Sequence, residues 1–228
     1  MEADIDASFL GRWPIPIRHS LTLGEMALLL RTEMALAVDL EVVTMEGWRR
    51  SMMWPETGLP FHPPSPGLPE FSSILLYPGL AFLEATNVHE GRGTKLAFQW
   101  FGAPWMDGAL GADALNEAGI PGVRAHPHPL SCPGVRLEVT DPSILRPVAL
   151  GLRVLKLLGT FWSRDFQWVP YPTVANPTGE AHLTILLGST ALASLLQNRP
   201  DTLDEAQIRG FTHASGWWER AEPHLLYP

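Results

Sequence analysis

The chain has 228 residues, a hydrophobic content of 46% and a formal net charge of -8 at pH 7. This length and this apolar content suffice for one large domain or two small ones with a buried core. The 16 Lys and Arg residues are scattered rather than clustered, which argues against a nucleic acid or an anionic membrane surface as the main partner.

Signals for disulfides, export and membrane insertion are missing from the sequence. Cys132 is the single cysteine, so an internal disulfide and a thiolate metal cage are excluded. The first six residues are acidic where a secretory leader would be basic, and no apolar run reaches the ~20 residues that a membrane helix needs. We therefore expect no membrane span, no metal and no other cofactor, while the cellular location stays open. The 22 Pro and 9 Trp residues favour rigid ordered loops and aromatic platforms of the kind that stack on sugars.

The first third of the chain predicts a helix, a strand and a proline-rich loop. After a lead-in over 1–12 and an extended segment, a capping-box pattern at Thr22 and Glu25 predicts a helix over 23–36. Alternating residues over 39–45 predict a half-buried strand. The loop over 49–70 has too many prolines for a regular element and is too apolar for a disordered linker. It either walls a pocket or packs along the surface.

The remaining two thirds mix strands and helices without a regular βαβ alternation. The predicted class is α+β, with a mixed sheet flanked by helices and long Pro-rich ordered loops. The predicted strands lie over 71–77, 80–82, 95–101 and 135–140, and the predicted helices over 107–118, 141–158 and 202–220. An apolar segment over 183–196 is broken at 188–189, and a loop is expected over 161–180.

The segment over 83–94 is the densest in functional groups. It carries Glu84, Asn87, Glu90 and Arg92 with two glycines, directly after an apolar run that we interpret as a buried strand. A strand that leads into a glycine-hinged loop is a common way to build a ligand site. Two carboxylates can serve as the acid and the base or nucleophile of a glycosidase. The alternative is a surface turn in which one carboxylate is exposed and the other pairs with Arg92.

Other candidate groups give weaker signals. Arg18 and His19 precede the first predicted helix, where His19 has either a structural role or that of a hydrogen-bond donor or proton carrier. His126 and His128 are wrongly spaced for a helix-borne zinc site. The sequence contains no phosphate loop, dinucleotide fingerprint or nucleophile elbow, which disfavours nucleotide and serine-hydrolase chemistry.

Several stretches occur in the same order as in one known family. They lie at 14–19, 45–48, 57–60, 64–66, 77–79, 84–94, 102–105, 139–141 and 225–227. Together they resemble the peptidoglycan exo-β-N-acetylmuramidase (NamZ-like) glycoside hydrolases, long catalogued as a domain of unknown function. The resemblance covers nearly the whole chain, and an ordered string of motifs is more specific than any single one.

The resemblance implies an architecture and a function. The resemblance implies that family members are two-part bacterial proteins, with an N-terminal Rossmann-like domain that carries the catalytic centre, a C-terminal auxiliary domain and a cleft between them. It implies a lead-in over 1–12 and a single C-terminal domain over 13–228, with the Rossmann-like half absent. The complete enzyme would release N-acetylmuramic acid from the non-reducing end of peptidoglycan fragments, in cell-wall recycling, and family members are often exported.

The same resemblance implies roles for the candidate residues. Glu84 and Glu90 are the candidate catalytic or hydroxyl-binding groups, and Arg92 together with Arg18 would pair with the lactyl carboxylate of the sugar. The candidate substrate-binding residues are Arg18, His19, Trp54, Asn87, Arg92, Thr94 and Trp105.

The sequence departs from the family pattern at a few positions. Ala85 and His89 replace a glycine and a serine in the motif, Ser20 replaces a glycine and Gly67 an asparagine. Three roles stay open: one wall of a muramidase cleft, a non-catalytic sugar-binding or scaffold module, and a domain completed by self-association. The expected partners are an amino sugar or peptidoglycan fragment and either a separate N-terminal domain or a second copy of the chain.

Overall fold

The structure, a computed structural model, describes residues 8–129 and 132–228. It divides into two compact units. The larger is formed by the segment that ends at Ile17 and by Pro63–Thr212, and the smaller by Arg18–His62 and His213–Pro228. The smaller unit thus groups the first helix and residues 49–62 of the proline-rich loop with the C-terminal residues, while residues 63–70 of that loop belong to the larger unit.

The elements of both units follow in chain order. The α-helices and β-strands are α1 (Leu23–Glu33), α2 (Phe71–Leu80), β1 (Trp100–Gly102), α3 (Gly108–Glu117), β2 (Val123–His128), β3 (Gly134–Val139), α4 (Pro147–Phe161), α5 (His182–Leu187), α6 (Thr190–Asn198), α7 (Glu205–Thr212) and α8 (Trp217–Ala221). Short 3₁₀ segments lie at Trp54–Thr57, Ala81–Ala85, Pro200–Thr202 and Glu222–His224. Across the described ranges, no helix is long and apolar enough to cross a membrane.

The larger unit contains an antiparallel sheet. Its strand order is β1-β3-β2, with three strands among the described residues. The register places Phe101 opposite Val135 and Ala125 opposite Leu137, and all four side chains are buried. Because α3 packs on β2 and β3 and helices cover the rest of the core, the α+β class is confirmed. The sheet itself is antiparallel rather than mixed.

Helices α2 and α4 of the larger unit pack at unusually close range. A Cβ atom added at Gly79 would lie 1.9 Å from the Pro147 carbonyl oxygen, and one added at Gly151 would lie 2.4 Å from the Gly79 carbonyl oxygen. The two backbones therefore touch, which only glycine allows. This contact fixes the end of α2, and with it the 3₁₀ segment Ala81–Ala85 that follows at once.

A buried carboxylate organises the smaller unit. Glu25 on α1 is fully buried; it accepts from Arg50 at 2.5 Å and from the Leu226 backbone N–H at 2.8 Å, and it closes the capping box with Thr22. Burial alone would raise the pKa of Glu25, but these hydrogen bonds lower it below its usual value. Tyr227 meets the Trp48 ring edge-on at 5.0 Å. These contacts explain why the C-terminal residues belong to the same unit as α1.

Most of the predicted helices are present. Helix α1 starts as its capping box predicted, α3 matches the prediction over 107–118, and α5 and α6 are separated at the predicted break of 188–189. Helix α4 begins at Pro147 instead of 141, because Asp141 accepts from the Ser143 backbone and hydroxyl in a turn and proline favours the first helical position. The predicted helix over 202–220 is divided into α7 and α8 before Gly216, whose φ is 71°.

Four strand predictions were wrong or too long, among them 80–82, which covers the end of α2 and the start of the 3₁₀ segment Ala81–Ala85. Residues 71–80 form α2, in which the buried positions 73, 76 and 80 have helical spacing; a short apolar run does not distinguish the two structures. Residues 39–45, all of them described, form no strand. Of the strand predicted over 95–101 only Trp100–Gly102 is extended in the sheet. Strand β2 was missed because Pro127 argues against a strand, although an edge strand tolerates it.

Candidate functional site

The polar centre of the larger unit is a guanidinium held between two carboxylates. Arg92 donates through Nε to Glu90 Oε1 at 2.9 Å and through Nη2 to Glu84 Oε1. The other Glu84 oxygen, Oε2, lies 3.2 Å from His182 Nε2. The side chains of Glu84 and Glu90 are 9% and 11% exposed, whereas that of Arg92 is 43% exposed. We call Glu84, Glu90, Arg92 and His182 the carboxylate–guanidinium cluster.

Aromatic rings surround the guanidinium of the cluster. Its carbon lies 5.3 Å from the centre of the Phe98 ring and 6.0 Å from that of Tyr171, within the range of cation–π attraction. Tyr77 contacts the Phe98 ring edge-on at 4.9 Å. Burial alone would lower the pKa of Arg92, but the hydrogen bond to Glu90 and the charge of Glu84 raise it above its usual value. Arg92 is therefore a permanent cation.

Local structure explains where the two carboxylates lie. Glu84 sits in the 3₁₀ segment Ala81–Ala85, against which α5 packs. The Glu90 carbonyl oxygen accepts from the Phe98 backbone N–H at 2.7 Å. Gly91 has a φ of 80°, and a Cβ atom there would lie 2.5 Å from the Leu96 carbonyl oxygen. Only glycine meets both conditions, so the glycine in the motif is needed to bring Arg92 back over Glu84 and Glu90.

Charge and free donors define what the cluster can bind. Two carboxylates face one permanent cation, so the cluster has an excess of negative charge and hydrogen-bond acceptors. Arg92 donates to Glu90 through Nε and to Glu84 through Nη2, while its Nη1 group donates to none of the described residues. The cluster thus offers two nearly buried acceptors of fixed orientation together with a planar donor that is 43% exposed. Such a pattern suits neutral hydroxyl and amide groups better than an anion.

Two tyrosines near the cluster, Tyr77 and Tyr171, respond to the charge of Glu84. Burial, followed by the negative charge of Glu84, raises the pKa of both Tyr77 and Tyr171 above the usual value. Because the phenol pKa is higher in the folded chain than in the unfolded chain, each neutral phenol contributes to the free energy of unfolding. This contribution is complete below the unfolded-state pKa of about 10 and is lost as the pH rises through the folded-state pKa.

We therefore expect Glu84→Gln to lower the pKa of both phenols, since it removes the negative charge and leaves the burial in place. Titration of the phenolate absorbance checks this, with Tyr77→Phe and Tyr171→Phe to assign the two steps. Glu205→Gln serves as the control, because Glu205 pairs with Arg153 on the α4–α7 side. Unchanged phenol pKa values in Glu84→Gln would contradict the effect of the Glu84 charge on Tyr77 and Tyr171.

The structure brings together some of the predicted site residues and gives others a different environment. Glu84, Glu90 and Arg92 meet, as described above. Asn87 uses its amide to link two loops: it donates to the Asp165 carbonyl at 2.8 Å and accepts from the Gln167 backbone N–H at 2.9 Å. Thr94 donates to the Gly91 carbonyl at 2.7 Å within the turn. Both side chains therefore hold the motif in shape.

The remaining predicted residues lie outside the cluster. Trp105 packs on the core, with its ring 6.2 Å from that of Trp162. Arg18, His19 and Trp54 belong to the smaller unit, where Trp54 contacts Phe61 edge-on. His19 Nδ1 accepts from the Leu21 backbone N–H at 3.1 Å, and burial lowers the His19 pKa.

The sequence alone did not identify His182, Tyr171 and Phe98 as members of the site. His182 is 98 positions from Glu84, and nothing in a single sequence indicates a contact over that distance. Tyr77 lay inside a stretch that carried the family resemblance, although no role followed from it. Beside the cluster, Trp168, Val169, Pro170, Gln197 and His182 line part of a cleft of about 240 Å³.

The histidines of the sheet do not form a metal site. His126 pairs with Glu138 across β2 and β3 at 2.7 Å, and His128 stacks on Trp100, which stacks on His89. Among the described residues, no group of three or more His, Cys, Asp or Glu side chains could hold a metal ion.

Comparison with known proteins identifies relatives over nearly the whole chain. The family model "Exo-beta-N-acetylmuramidase NamZ, C-terminal" matches residues 75–227, and the corresponding N-terminal model matches residues 2–72. The two matched regions meet between residues 72 and 75. The peptidoglycan β-N-acetylmuramidase NamZ of Bacillus subtilis (strain 168) is 33% identical over 210 residues, which are 87% of this chain and 51% of that protein.

Two crystal structures of DUF1343 family proteins from Bacteroides fragilis NCTC 9343 share the fold. One superposes with a TM-score of 0.81 at 24% identity, and the match covers 99% of this chain and 61% of that structure. The other superposes with a TM-score of 0.65 at 26% identity, and the match covers 97% of this chain and 60% of that structure. The chain spans about half the length of the curated relative and about three fifths of each solved structure. Because the C-terminal family model covers most of the chain, the protein belongs to the exo-β-N-acetylmuramidase NamZ family.

Proposed function

We propose that this chain is part of an exo-acting β-N-acetylmuramidase and supplies one wall of the site that binds the terminal N-acetylmuramic acid of a peptidoglycan fragment. The observation that carries the proposal is the carboxylate–guanidinium cluster, in which Glu84, Glu90 and Arg92 come from the motif over 84–94. The name of the Bacillus subtilis relative of this chain, peptidoglycan β-N-acetylmuramidase NamZ, supports the proposed class of ligand.

The cluster is suited to binding sugar hydroxyl and amide groups. Glu84 and Glu90 accept hydrogen bonds from Arg92, whereas the general acid of a glycosidase must donate a proton. We therefore propose that both carboxylates accept from sugar hydroxyls and that Arg92 Nη1 donates to a hydroxyl or carbonyl oxygen. Fixed polar groups of this kind stabilise a glycosidic transition state because they are oriented before the reaction begins.

The excess of carboxylates changes the role proposed for Arg92. With Glu84 and Glu90 already on its guanidinium, Arg92 is a poor partner for the lactyl carboxylate, which would approach two like charges. We propose that this cluster contacts the part of the ring that N-acetylmuramic acid and N-acetylglucosamine share. The affinities of the two monosaccharides for this chain should then be similar.

Calorimetry and a turnover assay on the same purified chain test the proposal. Titration with N-acetylmuramic acid should show binding, and Glu84→Gln should weaken it by about tenfold, the loss of one hydrogen bond to a charged group. Glu205→Gln, on an exposed ion pair elsewhere, is the matched control. In parallel, a chromogenic N-acetylmuraminide measures turnover.

The outcomes separate the roles. Binding without turnover supports a wall that needs the rest of the enzyme, or a sugar-binding module. Turnover lost in Glu84→Gln or Glu90→Gln would show that the chain is active by itself. A parent chain that neither binds nor cleaves would contradict the proposal.

A further inference from the structure

His182 is the deeply buried member of the carboxylate–guanidinium cluster. It is the first residue of α5 and is 4% exposed. Its Nε2 atom lies 3.2 Å from Glu84 Oε2, while the other oxygen of the same carboxylate accepts from Arg92. Glu84 is thus held from two sides, by a surface cation and by a core imidazole.

The two ring nitrogens of His182 have different surroundings. Nδ1 is buried and has no hydrogen-bond partner among the residues that the structure describes. A hydrogen on Nδ1 would be a buried donor without an acceptor, which is costly, whereas a hydrogen on Nε2 points at a carboxylate oxygen. The geometry therefore favours the tautomer that carries its hydrogen on Nε2.

The surrounding structure fixes the plane of the imidazole. The Tyr171 ring stacks on it at 4.7 Å with 28° between the planes. The preceding residue, Ala181, has a φ of 52°, a conformation that is unfavourable for a residue with a Cβ atom. Local backbone strain of this kind persists where the surrounding contacts require it, and here it lies directly before the residue whose Nε2 contacts Glu84.

We propose that His182 is a positioning residue: in its Nε2–H tautomer it donates to one oxygen of Glu84 and so orients the other oxygen toward Arg92 and the sugar. The orientation of Glu84 toward a sugar rests on the proposed function, but the tautomer and the coupling to Glu84 do not.

Two substitutions distinguish positioning from packing. In His182→Gln the amide nitrogen takes the place of Nε2, so N-acetylmuramic acid affinity should stay close to that of the parent. In His182→Asn the amide reaches only the position of Nδ1, and affinity should fall by about tenfold or more as the hydrogen bond to Glu84 is lost. The proposal would be overturned if both variants bound the sugar as tightly as the parent. It would also be overturned if both lost the same affinity while their melting temperatures stayed equal to that of the parent.

A measurement without ligand tests the tautomer. Long-range ¹⁵N–¹H correlation spectra of the 228-residue chain, with His182→Gln to assign the signal and His126→Gln as a control on the sheet, should show the hydrogen on Nε2. A hydrogen on Nδ1 would refute the assignment.

A stability cycle separates this proposal from the proposed function. If the parent chain binds no sugar, the proposed function fails, and unfolding of His182→Asn, Glu84→Gln and the double variant still decides the positioning role. We expect non-additive changes, because the two residues share one hydrogen bond. Additive changes would show that His182 does not hold Glu84.

Discussion

Replacement of Arg92 by alanine should lower the free energy of unfolding by about 2 kcal/mol and abolish sugar binding. Removal of one partner from a fully buried ion pair costs about 3–5 kcal/mol, and loss of an exposed pair costs at most about 1 kcal/mol. Arg92 is 43% exposed, but its two partners are nearly buried, so an intermediate value is expected. Loss of the contact with Phe98 adds to it. Urea unfolding and calorimetry measure the two effects.

Arg92→Lys is the informative companion of that variant. An ammonium keeps the charge but lacks the planar fork that reaches Glu84 and Glu90 at once. We expect it to recover part of the stability and little of the sugar affinity. Full recovery of both properties would show that the charge alone matters, and would contradict the role given to Nη1.

Gly79→Ala should destabilise the larger unit by about 3 kcal/mol or more, the upper range for overpacking. The new Cβ atom would lie 1.9 Å from the Pro147 carbonyl oxygen and 3.0 Å from the Gly151 backbone nitrogen. Neither is the end of a flexible side chain, so α2 and α4 must separate. The gain in helix propensity, about 1 kcal/mol, is too small to offset this. Thermal and urea unfolding measure the difference.

Gly210→Ala provides the matched control. Gly210 lies in α7, and a Cβ atom there would meet nothing within 4 Å. The same chemical change should therefore stabilise the chain by about 0.5–1 kcal/mol. If both variants were stabilised alike, the close contact of α2 with α4 would be wrong.

The sequence indicated which charged residues of the motif lie close together, but not the structure of the segment that precedes them. Glu84, Glu90 and Arg92 were identified because they lie within one short segment, and local spacing is what a sequence displays directly. The segment that precedes them was predicted as a strand and is α2, because its apolar run fits either structure until its partner α4 is known.

The parts of the site that the sequence missed depend on tertiary packing. His182 reaches the motif through the packing of α5 against the segment Ala81–Ala85, and Tyr171 stacks on the His182 ring. Asn87 was predicted to contact a sugar, yet its amide is used within the fold. A polar side chain in a dense motif can hold the loop as readily as it can hold a ligand, and residue type does not separate the two roles.

The distance along the chain between Glu84 and His182 also orders the assembly of the site. Glu84 and Arg92 are 8 positions apart, whereas Glu84 and His182 are 98 apart, and closing the longer loop costs about 2 kcal/mol more entropy. We expect the ion pair to form early and the imidazole to dock late, when α5 folds onto the core. During synthesis the Glu84 carboxylate would then stay without its second donor until α5 has emerged and folded, so that the complete cluster exists only in the folded larger unit.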